Sequence, residues 1–178
     1  MIQLKGVKIS RDLSFIYNIM TDYNESNFIL RGLQINSFEE FETWFKNELK
    51  IFYTRFYIIQ DDDQSVGFIY AYDYHSLDRT AKMSVYILPD YRDIGIGALA
   101  TIQFLDRMFT EYNLKKIYSF VYGFNQKSYA CNVDAGFVQE GCLKEDKYFN
   151  GKFFDMYIFA MYPDHFYNRY GTILNKTL

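Results

Sequence analysis

The stretch YILPDYRDIGIGA, residues 86–98, constrains the fold more strongly than any other part of this chain. It runs from a strand-like apolar segment through a loop with two glycines into a helix-like pattern. N–H groups at the start of a helix attract phosphate, helped by the positive end of the helix dipole, and glycine lets a ligand approach the backbone. Arg92 adds a cation. The stretch therefore predicts a phosphate-binding turn between a strand and a helix.

Around this turn the pattern is that of a mixed α/β fold. Residues 1–9 alternate as an opening strand does, and Asp12 is predicted to cap the first helix. Ser37 and Glu40 are spaced as a capping box, which predicts a second helix. Asn150-Gly151 favours a type I′ hairpin turn. The predicted strands then cover residues 56–60, 66–74, 80–88, 115–122, 137–142 and 153–161, and the later helices cover residues 97–112 and 125–134.

The faces of two of these elements can also be predicted. Leu99, Ile102 and Leu105 recur at helical spacing and are expected to face the core. In the strand over residues 80–88, Ala81, Met83, Val85 and Ile87 form an apolar face, which leaves Lys82, Ser84 and Tyr86 on the other side. Since no linker or repeat interrupts the order of elements, we predict a single domain over residues 1–178.

Composition argues against several classes of partner. The formal net charge is −3 and the Lys and Arg residues are scattered, which argues against a nucleic-acid partner. No apolar run approaches the roughly 20 residues that span a bilayer, and residues 1–9 lack the apolar centre of a signal peptide. Cys131 and Cys142 have neither the spacing of a metal site nor the density of a disulfide framework. We therefore expect a cytoplasmic protein with no membrane, nucleic-acid or metal partner.

The glycines of the turn allow two other interpretations. Gly95-x-Gly97-x-x-Ala100 matches the dinucleotide-binding fingerprint, but short glycine patterns often occur by chance. In that fold the strand leads almost directly into the first glycine and an acidic residue ends a strand about 20 residues later, and neither feature is present here. The glycines could also serve only a tight strand-to-helix connection.

Three motifs in the same order resemble those of the GNAT superfamily of acetyltransferases. Arg92-x-x-Gly95-x-Gly97-Ala98 resembles its R/Q-x-x-G-x-G/A acetyl-CoA loop. The stretches NQKS (125–128), AGF (135–137) and EG (140–141) resemble its second cofactor-binding element. The hairpin FNGKFFD (149–155) and the opening over residues 12–28 are similar to the branch of spermidine and ribosomal-protein alanine N-acetyltransferases.

This resemblance implies a GNAT-like α/β fold with a mixed, mainly antiparallel sheet of about seven strands flanked by helices on both faces. It also implies an acetyl-CoA-dependent N-acetyltransferase, in which a primary amine attacks directly in a ternary complex. A homodimer is compatible with the resemblance. The cofactor-binding residues that it implies are Ile87, Leu88, Arg92, Asp93, Ile94, Gly95, Ile96, Gly97, Ala98, Asn125, Ser128 and Asn132.

The catalytic residues depart from the family pattern. Many members carry, four residues before the glycine of the Gly-Phe pair, a Tyr that protonates the leaving thiolate, but this chain has Asn132 there. Tyr129 is the first substitute and Cys131 the second, unless Tyr129 only packs and no dedicated acid exists. His75 is a candidate base because its ordinary pKa is near 6.5. A backbone amide in the stretch from Tyr86 to Leu88 is predicted to stabilise the oxyanion.

The acceptor amine is predicted from charge and pKa. Lys82 stands where the spermidine branch is usually acidic, and a cation there would repel a polyamine. Deprotonating a lysine-like amine at pH 7 costs about 4.6 kcal/mol, whereas an α-amine costs about 1 kcal/mol. We therefore predict a peptide N-terminus or a small α-amine as acceptor. The alternatives are a polyamine acceptor, or a non-catalytic CoA-binding module, which the missing Tyr at Asn132 would favour.

Overall fold

The computed structural model describes residues 1–22, 35–50 and 55–174, and this part of the chain contains seven strands and five α-helices. The strands are β1 (Ile2–Gly6), β2 (Arg55–Asp61), β3 (Gln64–His75), β4 (Thr80–Ile87), β5 (Lys116–Tyr122), β6 (Val138–Phe149) and β7 (Lys152–Met161). The helices are α1 (Ile9–Thr21), α2 (Phe38–Lys50), α3 (Ile96–Glu111), α4 (Gln126–Asp134) and α5 (Pro163–Leu174), with a 3₁₀ turn at Pro89–Tyr91. The sheet order is β1-β2-β3-β4-β5-β7-β6.

Antiparallel pairing dominates the sheet. The pairs β1–β2, β2–β3, β5–β7 and β6–β7 are antiparallel, and β4 pairs parallel to β5 over Thr80–Met83. The expected mixed, mainly antiparallel sheet of about seven strands is therefore confirmed. No helix within the described ranges is both long and apolar enough to cross a membrane.

The chain forms two compact units, each built from two stretches of sequence. The first contains Met1–Asp73 and Ser84–Thr101, and the second contains Tyr74–Met83 and Ile102–Leu178. The single domain expected over residues 1–178 stays a prediction.

The first unit has an aromatic core beneath α1 and α2. Phe41 and Phe45 of α2 are fully buried and belong to the same cluster as Phe68 and Tyr86. Lys82, Ser84 and Tyr86 were expected to share the face of β4 that lies opposite the apolar one, but Tyr86 is only 5% exposed, whereas Val85 is 41% exposed. The prediction that the face with Val85 is the buried one was therefore wrong at these two positions. The C-terminal end of β4 instead buries the face that carries Tyr86 in this aromatic cluster.

The two helix starts of this unit differ in how well they were predicted. The Ser37 hydroxyl accepts a hydrogen bond from the Glu40 amide at 3.1 Å, so the predicted cap at Ser37 is confirmed, while the bond to the Glu40 carboxylate comes from the Asn36 amide at 2.9 Å. The prediction for Asp12 was wrong, since α1 already begins at Ile9. The Asp12 carboxylate is buried in the first turn, where it reaches back to the Lys8 amide at 2.7 Å.

The second unit contains the β6–β7 hairpin. Asn150 and Gly151 have φ angles of 47° and 79°, which fits the predicted I′ turn. Strand β6 extends to Phe149 rather than ending at residue 142. A bulge lets it continue: Glu145 has a φ of 52°, and its amide donates to the Asp155 carboxylate at 3.0 Å.

Helix α3 was predicted over residues 97–112 and covers Ile96–Glu111. Leu105 is buried as expected, but Leu99 is 49% exposed, so the predicted core position at Leu99 was wrong. The buried stripe instead follows Ile96, Ala100 and Phe104, which are spaced four residues apart.

Candidate functional site

The turn between β4 and α3 has the backbone conformation that a tight anion site needs. After the 3₁₀ turn, Asp93 and Gly95 both lie in the left-handed region, with φ angles of 63° and 87°. A Cβ added to Gly95 would meet nothing within 4 Å, so the backbone angle, and not lack of space, requires glycine there. Helix α3 then begins directly at Ile96.

The first turn of α3 presents backbone donors to solvent. Leu99 donates to the Gly95 carbonyl at 3.1 Å, which closes the first turn. The N–H groups that precede Leu99 in this turn have no acceptor inside the helix. Ile96 is 5% exposed and anchors the turn, whereas Ile94 beside it is 67% exposed. Ala98 is also exposed, so the outer side of the loop is open to a ligand.

Arg92 is fixed by two contacts within the first unit. Its Nε donates to the Ile87 carbonyl at 2.8 Å. Its guanidinium lies 5.3 Å from the centre of the Tyr86 ring, which itself stacks on Phe68 at 5.5 Å. The sequence did not predict this support, because a contact between residue 92 and a carbonyl five residues earlier has no sequence signature.

These residues fit a diphosphate. A fixed cation, two left-handed residues and the amides of a helix start are the parts from which backbone anion sites are built. A Cβ added to Gly97 would lie 3.4 Å from Ile87 Cγ1, which is an ordinary van der Waals contact. The structure thus brings together the implied residues from Ile87 to Ala98 in one turn.

The second implied element is helix α4, in the other unit. Asn125 is its N-cap, since the Asn125 Oδ1 accepts from the Ser128 amide at 3.1 Å. Asn132 Nδ2 donates to the Ser128 carbonyl at 2.8 Å, so its amide group is turned onto its own helix. These contacts place Asn125, Ser128 and Asn132 on one short helix, and their role in binding stays a prediction.

Tyr129, the candidate acid, also lies on α4. Its hydroxyl donates to Gln139 Oε1 at 2.9 Å. Its ring meets Tyr157 and Phe159 edge-on, with centroids 4.9 Å and 5.2 Å away. These contacts support the interpretation that Tyr129 packs against its neighbours. Its action as a general acid stays a prediction. Sequence reasoning missed Gln139, because this partner comes from the neighbouring strand.

The remaining candidates lie on strands β3 and β4. His75 is the exposed last residue of β3. Lys82 has its Nζ 4.9 Å from the centre of the Phe120 ring. Sequence reasoning gave no role to Asp73, an exposed residue whose φ is 49°. A left-handed φ is uncommon at residues other than glycine, although Asp adopts it more readily than most, and sequence alone does not reveal it.

Comparison with known proteins shows which family the chain is similar to. A model of the acetyltransferase (GNAT) domain matches residues 8–158. A spermidine N(1)-acetyltransferase of Vibrio cholerae is 26% identical over 159 residues, which is 89% of this chain and 91% of that protein.

Solved structures agree with the sequence comparison. The crystal structure of spermidine N-acetyltransferase from Vibrio cholerae in complex with CoA and spermine has a TM-score of 0.86 at 25% identity, covering 93% of this chain and 97% of that one. A dodecameric structure of the enzyme from the same organism has a TM-score of 0.82 at 26% identity, covering 94% and 97%. The GNAT fold expected from the motifs is confirmed, and the dinucleotide-binding alternative is not supported.

Proposed function

This chain belongs to the GNAT acetyltransferase family, and from that premise we propose that its acceptor is a small aliphatic primary amine, first of all a polyamine. It is an N-acetyltransferase that uses acetyl-CoA. The single observation that supports the donor site is the turn at residues 92–98, where Arg92 is fixed beside the amides of the α3 start. We assign the CoA pyrophosphate to this turn.

Two observations favour a polyamine. The relative that this chain matches over 91% of its length is a spermidine N(1)-acetyltransferase. Asp73 places an exposed carboxylate close to the end of the long strand β3. A carboxylate attracts an ammonium group, and the net charge of −3 does not oppose a cationic acceptor. We therefore propose that Asp73 binds an ammonium group of the acceptor.

An α-amine is the second candidate, because Lys82 favours it. The Lys82 ammonium lies over Phe120, and a second cation close to it would be repelled. An α-amine also needs less help to lose its proton at pH 7, by about 3.6 kcal/mol. Under this alternative the acceptor would be a peptide N-terminus or a small α-amine.

The residues of the first unit can do two things for the transfer. Acetyl-CoA, when bound, supplies the acetyl group as a thioester. Holding both reactants in line can recover about 7 to 11 kcal/mol of the barrier, and the turn at residues 92–98 fixes one of them. The second contribution is a donor for the developing oxyanion, for which the sequence predicted an amide in the stretch from Tyr86 to Leu88.

Ile87 is the amide that we assign to the oxyanion. The Leu88 amide donates to the Val66 carbonyl at 2.9 Å, so it is used by pairing with β3. Successive N–H groups along a strand point to opposite edges, so the Tyr86 amide faces β3 as well and the Ile87 amide faces away from it. Tyr86 would then act through its ring, which supports Arg92.

Turnover of an amine panel tests the proposal. The purified chain is mixed with acetyl-CoA and with spermidine, spermine, an amino acid or an N-terminal peptide, and free thiol and acetylated amine are measured. The polyamines are expected to give the highest kcat/KM. A higher value for the peptide would overturn the polyamine proposal and support the α-amine. No turnover with any amine would support the non-catalytic CoA-binding alternative.

A pair of variants tests Asp73. Asp73→Asn should raise the KM for spermidine and leave the KM for acetyl-CoA unchanged, because it removes a charge and keeps the size. Asp78→Asn is the matched control, since Asp78 is also exposed and follows β3. An equal effect of both substitutions would contradict a specific role for Asp73.

Self-association and location belong to the same proposal. A relative forms a dodecamer according to the description of its structure, and we propose that this chain also associates with itself, at least as a homodimer. Light scattering after gel filtration should give a mass above 21.3 kDa. Cytoplasmic location is proposed as well, and fractionation of cells that express the tagged chain would test it.

A further inference from the structure

We propose that Arg169 and Tyr170 of α5 are positioning residues that hold helix α4 in its binding orientation. Helix α5 spans Pro163–Leu174, beyond residue 158, where the match to the family model ends. The inference rests on the proposed function, because α4 carries Asn125, Ser128 and Asn132, which the resemblance implies in cofactor binding.

Both side chains bind the C-terminal end of α4. Arg169 Nη2 donates to the Asp134 carbonyl at 2.6 Å, and the Tyr170 hydroxyl donates to the Ala135 carbonyl at 3.0 Å. The last carbonyls of a helix have no partner within it. A cation at this end also faces the negative end of the helix dipole. The two residues therefore supply what the end of α4 lacks.

Helix α4 is held along its length by Tyr129, whose ring packs on Tyr157 and Phe159, but it has no buried face. It is nine residues long and none of its residues is buried. Helices of this length are marginal on their own, and most helical stability in proteins comes from packing of a buried face. Contacts at its ends therefore carry more weight than they would on a well-buried helix. The Asn125 cap fixes one end, and α5 fixes the other.

Helix α5 is itself firmly anchored within the second unit. Phe166 is fully buried and its ring lies 5.5 Å from that of Phe109. The Tyr167 hydroxyl donates to Asp106 Oδ1 on α3 at 3.1 Å. Gly136, which follows α4, has a φ of 82°, and a Cβ there would lie 3.1 Å from Arg169 Cδ. The end of α4 is thus held against a fixed element.

The test compares substitutions on α5 that each remove one hydroxyl or one guanidinium group. Tyr170→Phe and Arg169→Ala each remove a hydrogen bond to α4, whereas Tyr167→Phe removes one to α3 and serves as the control. Arg169→Lys keeps the cation and should restore part of the loss. The readouts are KM and kcat for acetyl-CoA with the best acceptor, and amide hydrogen exchange over residues 126–135.

Tyr170→Phe and Arg169→Ala should raise the KM for acetyl-CoA about two- to tenfold, the range that one lost hydrogen bond supplies, with little change in kcat. Amide hydrogen exchange in α4 should be faster in Tyr170→Phe and Arg169→Ala than in the wild type, and it should be unchanged in Tyr167→Phe. Faster exchange without a change in KM would overturn the role in cofactor binding, and unchanged exchange would overturn the positioning itself. A wild-type chain that does not bind acetyl-CoA would refute the proposed function instead, since the exchange result does not depend on it.

Discussion

Replacing Gly95 by Ala tests the phosphate-binding turn most directly. Gly95 has a φ of 87°, and an added Cβ would meet nothing within 4 Å. The substitution therefore adds no clash, and its cost comes from the backbone alone, about 1 to 2 kcal/mol for an L-residue in the left-handed region. A chain of this size should lose about 2 to 8 °C in Tm.

Gly151→Ala is the matched control. Gly151 lies in the β6–β7 turn with a φ of 79°, and a Cβ there also meets nothing within 4 Å. The backbone cost should be the same, so both variants should lose similar thermal stability. Only Gly95→Ala should also weaken acetyl-CoA binding, because relief of its strain moves the amides at the start of α3.

Differential scanning fluorimetry gives the two Tm values, and isothermal titration calorimetry gives the Kd for acetyl-CoA. We expect the Kd of Gly95→Ala to rise about tenfold, as a loss of about 1.4 kcal/mol implies, and that of Gly151→Ala to match the wild type. Equal Kd values in all three proteins would refute the placement of the pyrophosphate. A weaker Kd in both variants would mean that lost stability, and not the turn, causes the effect.

Four further predictions concern single contacts. Arg92→Ala should weaken acetyl-CoA binding by about 1.5 to 3 kcal/mol in calorimetry, because a charge-assisted contact is lost, and an unchanged Kd would contradict this. Ser37→Ala should lower the free energy of unfolding by about 1 kcal/mol in urea titration, because the cap of α2 is lost. Burial raises the pKa of the Glu140 carboxyl, but hydrogen bonds from Tyr162 and Lys116 outweigh burial and hold this pKa below its ordinary value. The stability that Glu140 adds over Glu140→Gln should therefore be full above about pH 4.3 and disappear as the pH falls through the folded-state pKa, and a constant difference across acid titrations would refute it. Tyr129→Phe should lower kcat less than the 10²-fold or more that loss of a general acid costs, which rate measurements near pH 8 would check.

Sequence reasoning succeeded where a structure depends on neighbouring residues. The cap at Ser37 and the hairpin at Asn150-Gly151 depend on positions three residues apart or closer, and both were found. The strand-to-helix turn at residues 86–98 was found for the same reason, since a strand, two glycines and a helix follow one another there, and its binding of phosphate stays a prediction. The start of α3 was predicted within one residue, whereas the end of β6 was placed at residue 142 although the strand continues to Phe149.

Two of the misses depend on residues of another strand. The extent of β6 depends on Asp155 of β7, which binds the bulge at Glu145. The buried side of the β4 end depends on Phe68 of β3, which no local pattern on β4 could indicate. The support of helix α4 by Arg169 and Tyr170 was missed because these residues lie 35 positions further along the chain. The support of Arg92 comes from Ile87, only five residues earlier, and was missed because such a contact has no sequence signature.

We propose that the site works without the usual Tyr, because the departing thiolate is only a weak base. Asn132 is bonded to Ser128, and the Tyr129 hydroxyl donates to Gln139, so both candidates nearest the family position are engaged locally. A thiol has a pKa of about 8.5, so a departing thiolate lies only about 2 kcal/mol above its protonated form at pH 7. Alignment offers about 7 to 11 kcal/mol, several times more. We therefore expect the turn at residues 92–98, if it fixes the donor as proposed, to matter more to the rate than a residue that protonates the sulfur.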